Sequence, residues 1–195
     1  IYIEQNRYKT NNGKISIGYF GVIGGQWGLS VLDRLAKVYK SKFNIVIAGH
    51  IANQKEVDRL LTENKNVEYL GPYRSPEDLA DIYSKIDLSW ACYPPFQKND
   101  INYLSGRPNR FYEACFFGVP IVARKYAAFS NDVEKYEIGK IIETADVDET
   151  AHQLSEISNT DLMRWRDNMK SLPDNVFMLV DEPTRLRDEI IKCSQ

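Results

Sequence analysis

One acidic side chain interrupts an otherwise apolar block in the middle of the chain. Glu113 lies four residues after Asn109 and three after Arg110, so the three side chains share one face if this segment is helical. A carboxylate near a helix start can accept two hydrogen bonds from a vicinal diol such as that of ribose, and helix N-terminal amides attract phosphate. The alternative is an ordinary surface ion pair between Glu113 and Arg110.

The residues around this acid predict a short helix that runs directly into a buried strand. Pro108 suits the first helical position, and Gly118 suits the left-handed residue after the helix. Pro120 prevents the helix from continuing. The apolar run 119–123 is then typical of a strand in a parallel sheet.

A glycine-rich turn follows the first predicted strand, residues 14–20, and precedes a helix over residues 29–39. We expect the amides of Gly21, Gly24 and Gly25 to approach a ligand there, as such turns do in doubly wound folds. The glycine spacing matches neither a dinucleotide-binding fingerprint nor a P-loop. A tight turn that binds no ligand is the alternative.

The next two strands also end in polar residues. Strand 43–48 ends in Gly49-His50, where an NAD-binding unit would carry an acid, so the sequence argues against NAD. His50 faces the crevice at the strand ends or is simply a polar loop residue. Strand 67–70 is followed by Tyr73 and Arg74, which either border a ligand or belong to an exposed loop.

The remaining pattern alternates helices and strands to the end of the chain. The sequence predicts further strands at 87–92 and 140–143, and helices at 54–63, 76–85, 131–136, 147–157, 161–170 and 182–193. The predicted fold class is therefore α/β, a Rossmann-like doubly wound parallel sheet of about six strands in the order 3-2-1-4-5-6.

The segments PNRFYEA at 108–114 and GVPIVA at 118–123 resemble the signature of GT-B glycosyltransferases of the family 4, group 1 type. The resemblance covers about residues 14–157. It implies the C-terminal, donor-binding half of an enzyme that transfers a sugar from a UDP- or GDP-linked donor, with no further cofactor and no metal. Surface polysaccharide or glycoconjugate synthesis is the expected setting.

The resemblance also implies residue roles. Glu113 would hold the ribose hydroxyls, and the amides of the glycine turn would stabilise the leaving phosphate. The residues expected on the diphosphate side are Arg107, Asn109 and Arg110, and those expected beside the base are Tyr73 and Arg74.

Two departures from the family pattern stand out. The family has a second glutamate eight positions before Glu113, where this chain has Ser105. Many members hold the diphosphate with an arginine and a lysine from the glycine turn, but no cation occurs between Gly18 and Leu32. Either Arg107, Arg110 or Lys98 replaces them, or the donor binds more weakly than in those members.

Composition excludes several classes of protein. A net charge of −2 provides no positive field for nucleic acid, and no apolar run reaches the roughly 20 residues of a transmembrane helix. Cys92, Cys115 and Cys193 have no metal-binding or CxxC spacing, which indicates reduced thiols. We expect a cytoplasmic protein whose full-length form can work at the inner face of the membrane.

The chain begins with Ile1, and residues 1–13 end in Asn-Asn-Gly, so we expect a linker there from an N-terminal domain of the same chain. Residues 14–172 would bind the nucleotide sugar, and 173–195 would pack on that other domain, leaving 176–180, Ile190 and Ile191 exposed. The binding site for the acceptor, a glycan or lipid-linked saccharide, and any catalytic base would lie largely in the N-terminal domain. No catalytic residue is therefore assigned in this chain.

Three alternatives remain open at this point. A non-catalytic, nucleotide-binding partner subunit would share the fold and the ligand. A sugar-nucleotide epimerase has the same architecture but needs a different set of acids and bases. An NAD- or flavin-binding domain is the third, against which the Gly49-His50 strand end argues.

Overall fold

Six parallel strands form one sheet in a computed structural model that describes residues 13–93, 105–178 and 182–193. The order is β3-β2-β1-β4-β5-β6, which confirms the predicted fold class and strand order. The strands are β1 (Ile15–Ile23), β2 (Phe43–Ile51), β3 (Val67–Tyr69), β4 (Leu88–Trp90), β5 (Ile121–Arg124) and β6 (Gly139–Ile142). The predicted linker, apart from Gly13, and Lys98 lie outside the described residues.

Helices cover both faces of this sheet, as the order of elements requires. They are α1 (Gln26–Val38), α2 (Gln54–Glu63), α3 (Leu79–Tyr83), α4 (Asn109–Phe116), α5 (Ser130–Lys135), α6 (Val147–Ser155), α7 (Asn159–Lys170) and α8 (Glu182–Cys193). A short 3₁₀ helix spans Asp174–Val176.

The two faces carry separate hydrophobic clusters because side chains alternate along each strand. Ile17, Ile45 and Val122 point to the face covered by α1, α6 and α7. Phe20 and Ile121 point to the opposite face, which α3, α4 and α5 cover. Both faces are buried, so the central strands are apolar almost throughout.

β1 and β2 are longer than predicted because the glycines that suggested their ends lie inside them. Gly21 and Gly49 are paired in register and have φ angles of +103° and +129°, a region that favours glycine. A Cβ atom added at Gly49 would overlap the carbonyl oxygen of Gly21. Glycine at this pair therefore permits a close backbone approach, and His50 belongs to β2 rather than to a loop.

The glycine-rich turn is accordingly shorter than the predicted 21–28. Only Gly24 and Gly25 lie between β1 and α1, and α1 begins at Gln26 rather than Leu29. Gly24 packs against Ala52, since a Cβ atom at residue 24 would lie 2.9 Å from that of Ala52.

Several helix boundaries also differ from the predictions. Pro108 is the extended residue before α4, with ψ 148°, so the first helical residue is Asn109. α3 starts at Leu79 rather than Pro76, because the preceding turn is organised by Asp78, whose carboxylate accepts a hydrogen bond from the Arg74 amide (2.8 Å). Gly139 begins β6 instead of ending α5. The predicted left-handed residue after α4, with φ +64°, is Gly118.

A buried ion pair lies at the end of the sheet where β1 and β4 begin. The Asp87 carboxylate accepts a hydrogen bond from the Ser16 amide (2.9 Å) and pairs with the Arg166 guanidinium at 2.6 Å. Both charged side chains are largely buried, so α7 is attached to the sheet by a shielded ion pair.

The C-terminal segment only partly matches the predicted exposure. Of the expected exposed run 176–180, Val176 and Phe177 are partly buried against the cluster under α3, α4 and α5, whereas Met178 is exposed as expected, and residues 179 and 180 lie outside the described ranges. On α8, Ile190 and Ile191 are exposed as expected, with 58% and 51% of their surface accessible. Within the described ranges, none of the helices combines the length and apolar character needed to cross a membrane.

Candidate functional site

Glu113 is held by a buried tyrosine. It lies on α4, is half-buried, and its Oε2 atom accepts a hydrogen bond of 2.9 Å from the Tyr83 hydroxyl. Tyr83 is 1% exposed, and its ring stacks on Phe117 with centroids 5.1 Å apart. Among the described contacts, Oε1 has no hydrogen bond and Glu113 makes no ion pair with Arg110, so the surface-pair alternative is wrong.

The electrostatics of this pair follow from burial. Partial burial raises the pKa of Glu113, while the hydrogen bond from Tyr83 and the charge of Arg110 act in the opposite direction. Burial and the neighbouring Glu113 charge raise the pKa of Tyr83 well above its usual value, so the tyrosine remains a hydrogen-bond donor at neutral pH.

Arg110 reaches from α4 over the end of β4 towards β1. Its Nη1 atom lies 3.4 Å from the Trp90 carbonyl oxygen, and its Cζ atom lies 5.1 Å from the centre of the Tyr19 ring. Tyr73, after β3, is half-buried, and its pKa is raised by burial and by Glu113, with Arg110 opposing. Arg110 and Glu113 are on the same helix, and Tyr73 packs against the hydrophobic cluster that contains Tyr83, the partner of Glu113.

The start of α1 lies beside this group. Gly25 is the residue before the helix, and no side chain in the described region caps the first turn. A Cβ atom at Gly25 would lie 3.8 Å from the Tyr19 hydroxyl, and Tyr19 is the ring that Arg110 covers. The Tyr19 side chain thus lies between the start of α1 and Arg110, and the free amide groups of a helix N-terminus attract anions.

Two of the predicted cations are engaged elsewhere. Arg107 forms a 2.8 Å ion pair with Asp132 of α5, so a carboxylate already balances its charge. Arg74 pairs with Asp78 at 2.9 Å in the turn before α3, so we do not assign it to the base. Asp78 holds the Arg74 side chain because the two residues are four positions apart in one turn.

The other predicted residues are exposed. Asn109 is the first residue of α4, and His50 lies near the end of β2, paired in register with Val22 of β1. Val22 is 62% exposed, so this pair forms an open surface at the carboxyl edge of the sheet. Gly21 lies within β1 and is not part of the turn.

The sequence interpretation missed two residues, Tyr83 and Arg124. A tyrosine on the apolar side of α3 needs a partner for its hydroxyl, and Glu113 is the acid within the apolar block. Arg124 ends β5, and polar residues at that end of a parallel strand face the ligand crevice. Its Nε and Nη1 atoms are buried and have no acceptor in the described part of the chain.

A separate open depression of about 620 Å³ lies between β6 and α6. None of the predicted site residues lines it. Its lining is mainly polar and acidic: Lys140, Ile141, Glu143, Thr144, Glu149, Gln153 and Glu156. Three glutamates make this depression unsuitable for a phosphate-bearing ligand.

Comparison with known proteins gives consistent results. The family model described as "Glycosyl transferases group 1" matches residues 15–160. A curated relative, the succinoglycan biosynthesis protein ExoL of Rhizobium meliloti (strain 1021), is 30% identical over 144 residues, which are 73% of this chain and 35% of ExoL. The chain thus spans about a third of that relative's length.

Solved structures share the fold at lower identity. HepE of Anabaena, crystallised with UDP and glucose, has a TM-score of 0.68 and 18% identity over 91% of this chain and 48% of HepE. The C-terminal domain of the group 1 glycosyl transferase LpcC from Francisella tularensis has a TM-score of 0.62 and 16% identity, covering 80% of this chain and 83% of that domain. With a family model that matches most of its length, the chain belongs to the glycosyl transferases group 1 family.

Proposed function

We propose that this chain is the donor-binding part of a glycosyltransferase that uses a nucleotide sugar in polysaccharide synthesis. The family assignment supports the reaction class, and the ExoL relative supports the setting, since it is described as a succinoglycan biosynthesis protein. HepE has been crystallised with UDP and with UDP-glucose, which favours a UDP-linked donor over a GDP-linked one.

The contact between Tyr83 and Glu113 is the observation that carries the proposal. The Tyr83 hydroxyl holds one carboxylate oxygen of Glu113, and the other oxygen remains available to the two ribose hydroxyls. Hydrogen bonds to a charged group contribute about 1.5–3 kcal/mol each, so this contact can select a ribonucleoside. The Tyr73 ring then borders the nucleoside side of the ligand, and Arg110 lies towards the diphosphate.

The chemical step follows from the same arrangement. An acceptor hydroxyl oxygen bonds to the anomeric carbon and gives its proton to a base, while the bond from that carbon to the phosphate oxygen breaks. The electron pair of that bond leaves with the diphosphate, and the first-turn amides of α1 and the Arg110 guanidinium stabilise the negative charge. The acceptor and the catalytic base belong to an N-terminal domain of the same protein. We therefore expect no measurable sugar transfer by this 195-residue chain alone, and turnover by it would contradict this division of roles.

We also propose a cytoplasmic location. Cys92 and Cys115 are both buried free thiols, as expected in a reducing compartment.

Calorimetric titration of the 195-residue chain with UDP, GDP, uridine and NAD tests the proposal. We expect binding of UDP or GDP, weaker binding of uridine, and none of NAD. Binding of NAD with no binding of either diphosphate would refute it and favour a dinucleotide-binding domain. An absence of binding to all four ligands, by a chain that shows a cooperative thermal transition, would also refute it.

A further inference from the structure

Arg124 carries a partly buried charge that lacks an anion. It ends β5, where its register partner is Ile142 of β6. The guanidinium Nε and Nη1 atoms are buried, and neither meets an acceptor among the residues described. Burial lowers the pKa of Arg124, yet an arginine remains charged at any physiological pH. Leaving buried charged N–H groups without a partner is costly, and a bound anion would remove that cost.

The side chain is held in place by aromatic rings. The Arg124 Cζ atom lies 5.3 Å from the centre of the Trp27 ring. Trp27 is itself fixed, because its Nε1 atom donates to the Ala145 carbonyl oxygen at 2.8 Å and its ring lies 5.6 Å from that of Trp90. The contact with Trp27 satisfies the face of the guanidinium, but it leaves the in-plane N–H groups free for an acceptor.

Arg124 belongs to the same edge of the sheet as Arg110. The Arg110 Nη1 atom lies 3.4 Å from the Trp90 carbonyl oxygen, and the Trp90 ring lies 5.6 Å from the Trp27 ring that the Arg124 guanidinium covers, so both cations border the end of β4. Trp27 is the second residue of α1, which places Arg124 beside the uncapped first turn of that helix. Two cations from β5 and α4 and one helix N-terminus therefore converge above the end of β4.

The glycine turn of this chain lacks the cations that would bind a diphosphate. The segment from Gly18 to Leu32 contains no lysine or arginine, so the glycine turn supplies no cation of its own. Arg107, the other candidate near α4, is paired with Asp132. Lys98 lies outside the described residues, so within them a cation for the diphosphate has to come from an element other than the glycine turn.

We propose that Arg124 binds the diphosphate of the nucleotide donor, together with Arg110 and the first-turn amides of α1. This inference rests on the proposed function and adds to it an anion-binding residue from β5. The planar guanidinium forms paired hydrogen bonds to phosphate oxygens, which a lysine cannot reproduce. The same contact strengthens as the diphosphate leaves with its additional negative charge.

Titration of the 195-residue chain with uridine, UMP, UDP and inorganic pyrophosphate tests this assignment. For Arg124→Gln we expect UDP affinity to fall about 10- to 100-fold, as the loss of a charge-assisted double contact implies, with uridine affinity unchanged. The increase in affinity from UMP to UDP should shrink accordingly. Arg34→Gln, which removes an exposed charge that pairs with Asp148, is the matched control and should bind UDP like the unaltered chain.

The outcomes separate this inference from the proposed function. Equal UDP affinity of Arg124→Gln and the unaltered chain would overturn the role of Arg124 and leave the proposed function intact. Binding of pyrophosphate that depends on Arg124, without binding of any nucleotide, would support the anion site and refute the proposed function. If Arg124→Gln fails to fold, Arg124→Lys keeps the charge, and UDP affinity equal to that of the unaltered chain would then overturn the assignment.

Discussion

Replacing Glu113 by glutamine tests the ribose contact most directly. The variant keeps the size of the side chain and an oxygen that can accept the Tyr83 hydrogen bond, but it removes the negative charge. The two ribose hydroxyls then face an amide group instead of the second carboxylate oxygen. With each charge-assisted hydrogen bond contributing about 1.5–3 kcal/mol, we expect a loss of about 2 kcal/mol, or about 30-fold in UDP affinity.

The assay is calorimetric titration with UDP and 2′-deoxy-UDP, which together with the substitution form a double-mutant cycle. The unaltered chain should bind 2′-deoxy-UDP about tenfold more weakly than UDP, because one hydroxyl is absent. In Glu113→Gln that difference should nearly disappear. Glu134→Gln, which removes an exposed carboxylate on α5, is the control. An unchanged preference for UDP in Glu113→Gln would refute the assignment of Glu113 to the ribose.

Glu113→Gln should weaken UDP binding without lowering the stability of the ligand-free protein at neutral pH. Burial raises the pKa of Glu113 from its ordinary value of 4.5, so the folded protein favours the protonated side chain. The resulting stabilisation is fully present below pH 4.5 and is lost as the pH rises through the raised folded-state pKa. In Glu113→Gln this decline should be absent, and the ligand-free variant should melt at neutral pH no lower than the unaltered chain. A large drop in its melting temperature would contradict this account.

Three further substitutions follow from the contacts described. Tyr83→Phe removes the hydrogen bond to Glu113 and should lower both the free energy of unfolding, by about 1 kcal/mol, and UDP affinity severalfold; unchanged values of both would count against the contact. Gly49→Ala should cost at least about 3 kcal/mol in urea unfolding, because the added methyl group overlaps the Gly21 carbonyl, and a neutral result would contradict the close approach. Asp87→Asn leaves its cationic partner without an anion and should cost about 3 kcal/mol, whereas UDP affinity in the folded fraction should not change.

The sequence predicted the sheet well because its information is local and repeated. Each strand is a short apolar run, and each helix carries an apolar face, so the order β3-β2-β1-β4-β5-β6 follows from general rules of parallel sheets. The strand ends were less predictable. Gly21 and Gly49 resemble turn residues, but Gly49 is required because the Gly21 backbone lies against it across the sheet, and that relation is not local.

The candidate site was predictable only in part, for a similar reason. Glu113 stands out because it is an acid in an apolar block, and its place on α4 follows from the flanking Pro108 and Gly118. Its partner Tyr83 is 30 residues away in sequence, and only the packing of α3 against α4 reveals the contact. Arg124 could have been noticed as a cation at the end of an apolar strand, but only the three-dimensional structure shows that its Nε and Nη1 atoms meet no acceptor among the described residues.

The ion pair of Asp87 and Arg166 has a consequence for how this domain can diversify. The ion pair attaches α7 to the end of the sheet where the strands begin. Glu113, Arg110 and Arg124 lie at the opposite end, where the strands finish. The residues that anchor the helix layer and those that would recognise a donor are therefore different sets on different rims. Side chains at the candidate donor site can therefore be exchanged while the Asp87–Arg166 ion pair that attaches α7 is kept.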